Sequence, residues 1–247
     1  MSPNGPLALL VRKLNRHMPL DQRDQDALLA LPHSVRELKA GAYIVREGDV
    51  PSHCATLLQG FAYRQKMLED GARQILAVQI PGDALDLQHL YLDCADHNVQ
   101  ALSDVTLAMI PRLALHTLAA ERPGIGRALS ISIEVEASIA REWLVNLGRR
   151  DARKRIAHLL CEVAVRLEGQ ELVPQYGYEL PMTQEQLGDA VGLTSVHVNR
   201  MLKKLETDGL ITRSKRAISF PNWAVLQREA GFDPRYLHLR QQRAAFS

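Results

Sequence analysis

The sequence predicts a mixed α+β chain: short N-terminal helices, a roll of short strands, one long helix, and a winged helix-turn-helix at the C-terminal end. Three observations carry this. Between residues 33 and 120, short β-like runs alternate with turn signals. A helical pattern then runs over 123–147. Finally, 183–213 reads TQEQLGDAVGLTSVHVNRMLKKLETDGLITR, a helix, a glycine turn, a second helix and the start of a hairpin. The chain divides accordingly into 1–122 (helices and β roll), 123–148 (long helix) and 149–247 (winged unit).

At the N-terminus, Leu7, Leu10, Val11 and Leu14 are spaced for the buried face of a helix. A second short helix follows Asp21, over 24–31. In the strand-rich region, Tyr43, Ile44 and Val45 precede the turn Glu47-Gly48-Asp49, and Thr56, Leu57 and Leu58 precede Gly60. The run 63–68 precedes Asp70-Gly71, 74–80 precedes Pro81-Gly82-Asp83, and 99–110 closes the region. Many short strands at regular spacing predict a barrel or roll.

The long helix begins with a proline near its first turn, where the missing amide costs nothing. Leu129, Ile133, Ala140, Trp143, Leu144 and Leu147 form an apolar stripe along it. A stripe of this kind packs on the roll or pairs with its twin in a homodimer, and dimerisation is the reading adopted. Ser132 and Glu136 interrupt a clean heptad, and Gly148 interrupts the helix before another over 151–167.

In the winged unit, Thr183 with Gln186 three residues on matches a capping box. Gly192 permits the turn, and Thr194 caps the second helix. Val198, Met201, Leu202 and Leu205 make that helix's inward face, while Ser195, Asn199, Arg200 and Lys203 lie on the other. Two β-like runs then flank the basic turn Arg213-Ser214-Lys215-Arg216. From 194 to 216 there are six Lys or Arg residues against Glu206 and Asp208, which suits a phosphate backbone. The alternative is a helical hairpin with a solvated outer face.

Composition is ordinary: 247 residues, 46% hydrophobic, net charge +2. The distribution is not. Residues 61–110 hold seven acidic and three basic side chains, so nucleic acid is expected only at the C-terminal end. No apolar run approaches the roughly 20 residues that span a bilayer, and the N-terminus has no convincing signal peptide. No membrane partner is expected. Cys54, Cys94 and Cys161 are scattered and odd in number, which fits a reducing cytoplasm rather than a disulfide framework. Cys161 lies on an apolar helix face and reads as core.

The assembled residues resemble the Crp/Fnr transcription regulators over nearly the whole chain. In the roll the resemblance rests on IVREGD (44–49), Gly60-Phe61, EDGARQIL (69–76) and IPGDALDL (80–87). In the winged unit it rests on TQEQLGDAVGLTSVHVNRMLKKLETDGLI, the more specific match. It implies a cyclic-nucleotide-binding-type β-roll as sensor, a dimerisation helix, and a homodimer on two-fold symmetric double-stranded DNA, with RNA polymerase as a further partner. Arg200 falls where the family has an arginine that reads guanine, and a guanidinium fork matches guanine O6 and N7. Val196 stands where many members carry a base-reading glutamate; valine contacts a thymine methyl instead. Ser195, Val196, Asn199 and Arg200 are the expected base readers. Thr183, Gln184, Thr194, His197, Lys203, Lys215 and Arg216 are the expected phosphate contacts.

The effector stays open. Family members that bind cyclic nucleotides place a glutamate after the PGD turn and an arginine followed by Ser or Thr. Here no arginine occurs from 84 to 110, so cyclic AMP is not expected. The iron–sulfur branch needs four cysteines, and this chain has three. His89, Cys94 and His97 have ligand types for zinc or haem but fall one short of a closed site, so no metal or cofactor is assigned. A redox pair of Cys54 and Cys94 is a lesser option. No HxH pair, catalytic Ser/His/Asp set or supported phosphate-cradling loop occurs, which argues against a cupin-like or other enzyme and leaves no catalytic residues. The remaining alternative is a constitutive DNA-binding regulator with a vestigial sensor.

Overall fold

A computed structural model describes residues 5–172 and 177–239. It opens with α1 (Ala8–His17) and α2 (Gln22–Leu29), separated by Pro19. Asp21 caps α2, its carboxylate accepting from the Asp24 amide at 2.8 Å. Leu7, Leu10, Val11 and Leu14 are buried, as their spacing requires.

The roll contains β1 (Ser34–Leu38), β2 (Tyr43–Val45), β3 (His53–Gln59), β4 (Ala62–Met67), β5 (Arg73–Gln79), β6 (Asn98–Ala101) and β7 (Val105–Pro111). They form two antiparallel sheets, ordered β1-β7-β3 and β2-β6-β4-β5. Leu57, Ala62, Leu85, Val99 and Leu107 fill the space between them. The run expected over 99–110 is two strands. They part at Ser103-Asp104, where Gly60 at φ +85° brings its backbone against the Asp104 carbonyl and leaves no room for a Cβ. β1 carried no strand signal because it is an edge whose Val35 is 55% exposed.

The helix α3 (Arg112–Glu121), not anticipated, lies beside β3 and β7 with Leu115 buried. Then α4 (Pro123–Arg149) runs for 27 residues. Gly148 does not end it; a single glycine costs a helix only about 1 kcal/mol. The break falls at Arg150, and Asp151 caps α5 (Ala152–Gly169) through the Lys154 amide at 3.0 Å.

The winged unit follows with β8 (Gly177–Glu179), α6 (Gln184–Val191), α7 (Ser195–Thr207), β9 (Thr212–Ser214), β10 (Ala217–Ser219) and α8 (Trp223–Ala230). Its sheet is ordered β8-β10-β9, one strand more than the expected wing. A continuous core joins this unit to the roll. Ile75, Val78 and Ile80 of the roll share it with Trp143 of α4, Leu160 and Val163 of α5, and Leu187 of α6. Cys161 lies inside the same core.

Candidate nucleic-acid interface

The helix-turn-helix is built by local hydrogen bonds that its sequence dictates. Thr183 Oγ1 accepts from the Gln186 amide at 3.1 Å, and Gln186 Oε1 accepts from the Thr183 amide at 2.9 Å. Gly192 takes φ +66°, closing α6 in the left-handed region. Thr194 Oγ1 then accepts from the His197 amide at 3.3 Å and starts α7.

Val198, Leu202 and Leu205 are buried on one side of α7, with Met201 partly buried beside them. At about 100° of rotation per residue, Val196, Asn199, Arg200 and Lys203 fall opposite that side. All four are exposed, as is Ser195; Val196 is 79% exposed. His197 sits on the flank and is half-buried. Thr183, Gln184 and Thr194 are exposed at the starts of their helices. In the wing, Lys215 adopts φ +54°, and both it and Arg216 are exposed.

The charges divide unequally. Among the described residues, Arg200, Lys203, Lys204, Lys215 and Arg216 form no ion pair. Arg213 differs: its Nη2 stands 2.6 Å from Glu206, and that hydrogen bond holds the Glu206 carboxyl below its ordinary range. Asp208 is taken by Arg153 of α5 at 2.7 Å. Both local carboxylates are therefore matched by arginines, leaving a run of unmatched cations.

The long helix requires a correction. Leu129 is fully buried against α1 and the roll, and Trp143 is buried with its Nε1 donating to Glu162 at 3.0 Å. Both lie inside the chain, because the inner face of α4 covers the roll. Ser132 and Glu136 also face inward, so they do not interrupt the outer stripe. That outer stripe comprises Ile133, Ala137, Ala140, Leu144 and Leu147, spaced 4, 3, 4 and 3 residues apart. Leu144 is 70% exposed, Ala140 is exposed, and Ile133, Ala137 and Leu147 are half-buried.

Between the roll, α4 and α1 lies a cavity of about 480 Å³, lined in part by Arg64, Ile75, Val135, Glu136, Ile139 and Trp143. Arg64 meets Glu136 at 3.3 Å and donates to the Leu85 carbonyl at 2.8 Å. Arg64 is thus matched by a carboxylate. Asp83, expected only as part of a turn, is wholly buried and accepts from Lys13 at 2.6 Å, Arg166 at 2.7 Å and the Ile80 amide at 2.9 Å. Burial alone would raise its pKa, but Lys13 and Arg166 outweigh burial and hold it below the ordinary value. Glu162 accepts from Trp143, Arg166 and Tyr236. There burial prevails over those partners and raises the carboxyl. The signal for Glu162 was legible: it is the one charged residue in the apolar run LLCEVAV (159–165).

His89 and His97 stack at 6.4 Å beside Asp86, whereas Cys94 is exposed, so the three candidate ligands do not converge. No group of three or more His, Cys, Asp or Glu able to hold a metal occurs among the described residues. Cys54 is buried, and burial with nearby Asp86 pushes its thiol up to about 11. No described helix is long and apolar enough to cross a membrane.

Two family models match the chain: a Crp-like helix-turn-helix domain over residues 154–229 and a cyclic nucleotide-binding domain over residues 35–122. The transcriptional activator protein FnrL of Cereibacter sphaeroides is 31% identical over 202 residues, covering 80% of this chain and 81% of that protein. The nitrogen fixation regulation protein FixK of Bradyrhizobium diazoefficiens is 32% identical over 178 residues, covering 70% and 71%. The solved structure of FixK2 from Bradyrhizobium japonicum matches with a TM-score of 0.74 at 27% identity, covering 80% of this chain and 97% of that one.

Proposed function

This chain belongs to the Crp/Fnr family of transcription regulators, and we propose that it binds a two-fold symmetric operator as a cytoplasmic homodimer without using cyclic AMP. The observation that carries this reading is the exposed face of α7 and the wing, where Ser195, Val196 and Asn199 stand among cations that have no carboxylate partner among the described residues. Ser195, Val196, Asn199 and Arg200 read bases, with Arg200 on guanine. Thr183, Gln184, Thr194, His197, Lys203, Lys215 and Arg216 hold phosphates. Two such faces, about one helical turn of DNA apart, read the two half-sites. RNA polymerase is the further partner of a regulator placed at a promoter.

Dimerisation runs through the outer stripe of α4: Ile133, Ala140, Leu144 and Leu147, with Ala137 added. The 4-3-4-3 spacing is a heptad seam, and an exposed leucine stripe in water is relieved by a second copy. The rejection of cyclic AMP is supported by Arg64 and Arg73, the roll cations best able to receive its phosphate. They are already engaged by Glu136 and Asp189 respectively. The Arg64–Glu136 pair also favours a second reading, a regulator that needs no effector, because the pair itself bridges roll and long helix.

The test begins with operator selection from random DNA by the full chain. A palindromic site bound tightly as a whole and weakly as a half supports the reading; a non-palindromic consensus overturns the dimeric part. Leu144→Glu should yield monomers by sedimentation and weaken full-site binding more than half-site binding, since an unpaired carboxylate resists burial. Cyclic AMP at physiological concentration should leave operator affinity unchanged and give no calorimetric heat. If purified protein and cell extract bind the operator equally, the effector-free reading gains.

A further inference from the structure

Two polar joints flank the apolar core that the winged unit shares with the roll. At the first, Arg166 of α5 reaches Asp83 at 2.7 Å and donates to the Val78 carbonyl at 2.9 Å, out of water. At the second, β5 lies along α6 itself. Arg73 Nε donates to Asp189 Oδ2 at 2.7 Å, and its Nη2 closes on the same oxygen at 2.5 Å. Gln74 Nε2 donates to the Asp189 backbone carbonyl at 2.7 Å. The two charged side chains here are 22% and 23% exposed.

The apolar core between the units is non-directional, with Leu187 of α6 packed with Ile75 and Val78, whereas the polar contacts of the second joint fix a direction. The second joint holds α6, and α6 carries α7 with it. Gly188 packs so closely on the Leu193 carbonyl that a Cβ has no room, so the two helices move together. The readers Ser195, Val196, Asn199 and Arg200 remain exposed while the joint is made. The joint therefore leaves this face of α7 uncovered.

We propose that Arg73, Gln74 and Asp189 are positioning residues for DNA recognition. They set the angle of α7 against α4, and so the spacing between half-sites that the homodimer accepts. This rests on the dimeric operator reading above. Specificity then has two sources: α7 selects the bases, and the roll selects the distance between them.

The experiment uses the full chain carrying Arg73→Ala, Asp189→Ala, Gln74→Glu, or the exchange Arg73→Asp with Asp189→Arg. Affinity is measured for the selected full site, for full sites with the half-sites moved by about one or two base pairs, and for a half-site. The single variants should lose about tenfold on the native spacing while staying within about twofold on the half-site. Their preference among spacings should flatten, and the charge exchange should restore it. Unchanged spacing preference overturns the proposal, as does a gain in full-site affinity. A half-site loss equal to the full-site loss overturns it too, assigning the residues to local folding. If the wild-type chain already shows no preference for a full site, the dimeric reading fails first, before any variant is compared.

Discussion

On α7, Arg200, Lys203 and Lys204 stand exposed with no carboxylate partner among the described residues. Some distance away, between roll and winged unit, Asp83, Glu162 and Arg166 lie almost wholly out of water, each answered by opposite charge or hydrogen-bond donors. The chemistry of the side chains is alike and the use is opposite. An exposed cation is hydrated at little cost and stays available for a phosphate. A buried charge is tolerated only when its partners are fixed, and that fixing ties segments together. Lys13, Asp83, Trp143 and Arg166 come from α1, the roll, α4 and α5, so one network joins four parts of the chain.

The comparison breaks most sharply at Asp83. Asp83→Ala should strand Lys13 and part of Arg166 and lower unfolding free energy by about 3 kcal/mol, read by chemical denaturation. Binding of the remaining folded protein to a half-site should be little changed. A stability loss below about 1 kcal/mol would mean the network is wetter than its geometry implies. Arg200→Ala should do the reverse. It should leave the denaturation midpoint in place, cost about 2 kcal/mol of operator binding, and relax base preference at one position per half-site. A loss uniform over all sequences would reassign Arg200 to phosphate.

The same contrast explains what the sequence revealed. The α6–α7 unit was legible because its signals are local: Thr183 and Gln186 cap each other, Gly192 turns the chain, and Val198, Leu202 and Leu205 repeat on one face. The division of α4 was less so. Its apolar residues serve two surfaces, and only the roll's position shows that Leu129 and Trp143 turn inward while Leu144 turns out. The junction was the least legible. Asp83 lies 83 residues from Arg166, and Arg73 lies 116 from Asp189, so no spacing rule joins them.

A smaller effect should follow from pH at the junction. His158 of α5 is buried against Tyr236, with Nε2 3.3 Å from Glu142 but not hydrogen-bonded. Burial, then Arg150, lowers its pKa to about 3. The folded imidazole thus stays neutral where the unfolded one gains a proton, at an ordinary pKa of about 6.5. Its contribution is complete above pH 6.5 and is lost progressively toward pH 3. Acidifying from pH 6.5 to 5 should cost about 1.5 kcal/mol of stability through this group alone. His158→Phe should flatten that segment of the profile. An unaltered slope would place the acid sensitivity elsewhere.

The smallest effect belongs to the wing, and it sharpens the distinction between reading and holding. Lys215 and Arg216 lie at an exposed turn with no ion pair among the described residues, and Lys215 takes a left-handed backbone, φ +54°. Neither is placed by a network, so neither is built to discriminate bases. Each should neutralise one phosphate and release its condensed counterions. Lys215→Ala or Arg216→Ala should therefore reduce the slope of log affinity against log salt by about 1 per half-site and weaken all sequences alike. At high salt each variant should converge on the wild type, because the lost interaction is the screened one. Operator titrations at several salt concentrations decide this. A preserved slope with an altered base preference would move the wing from the phosphates into a groove.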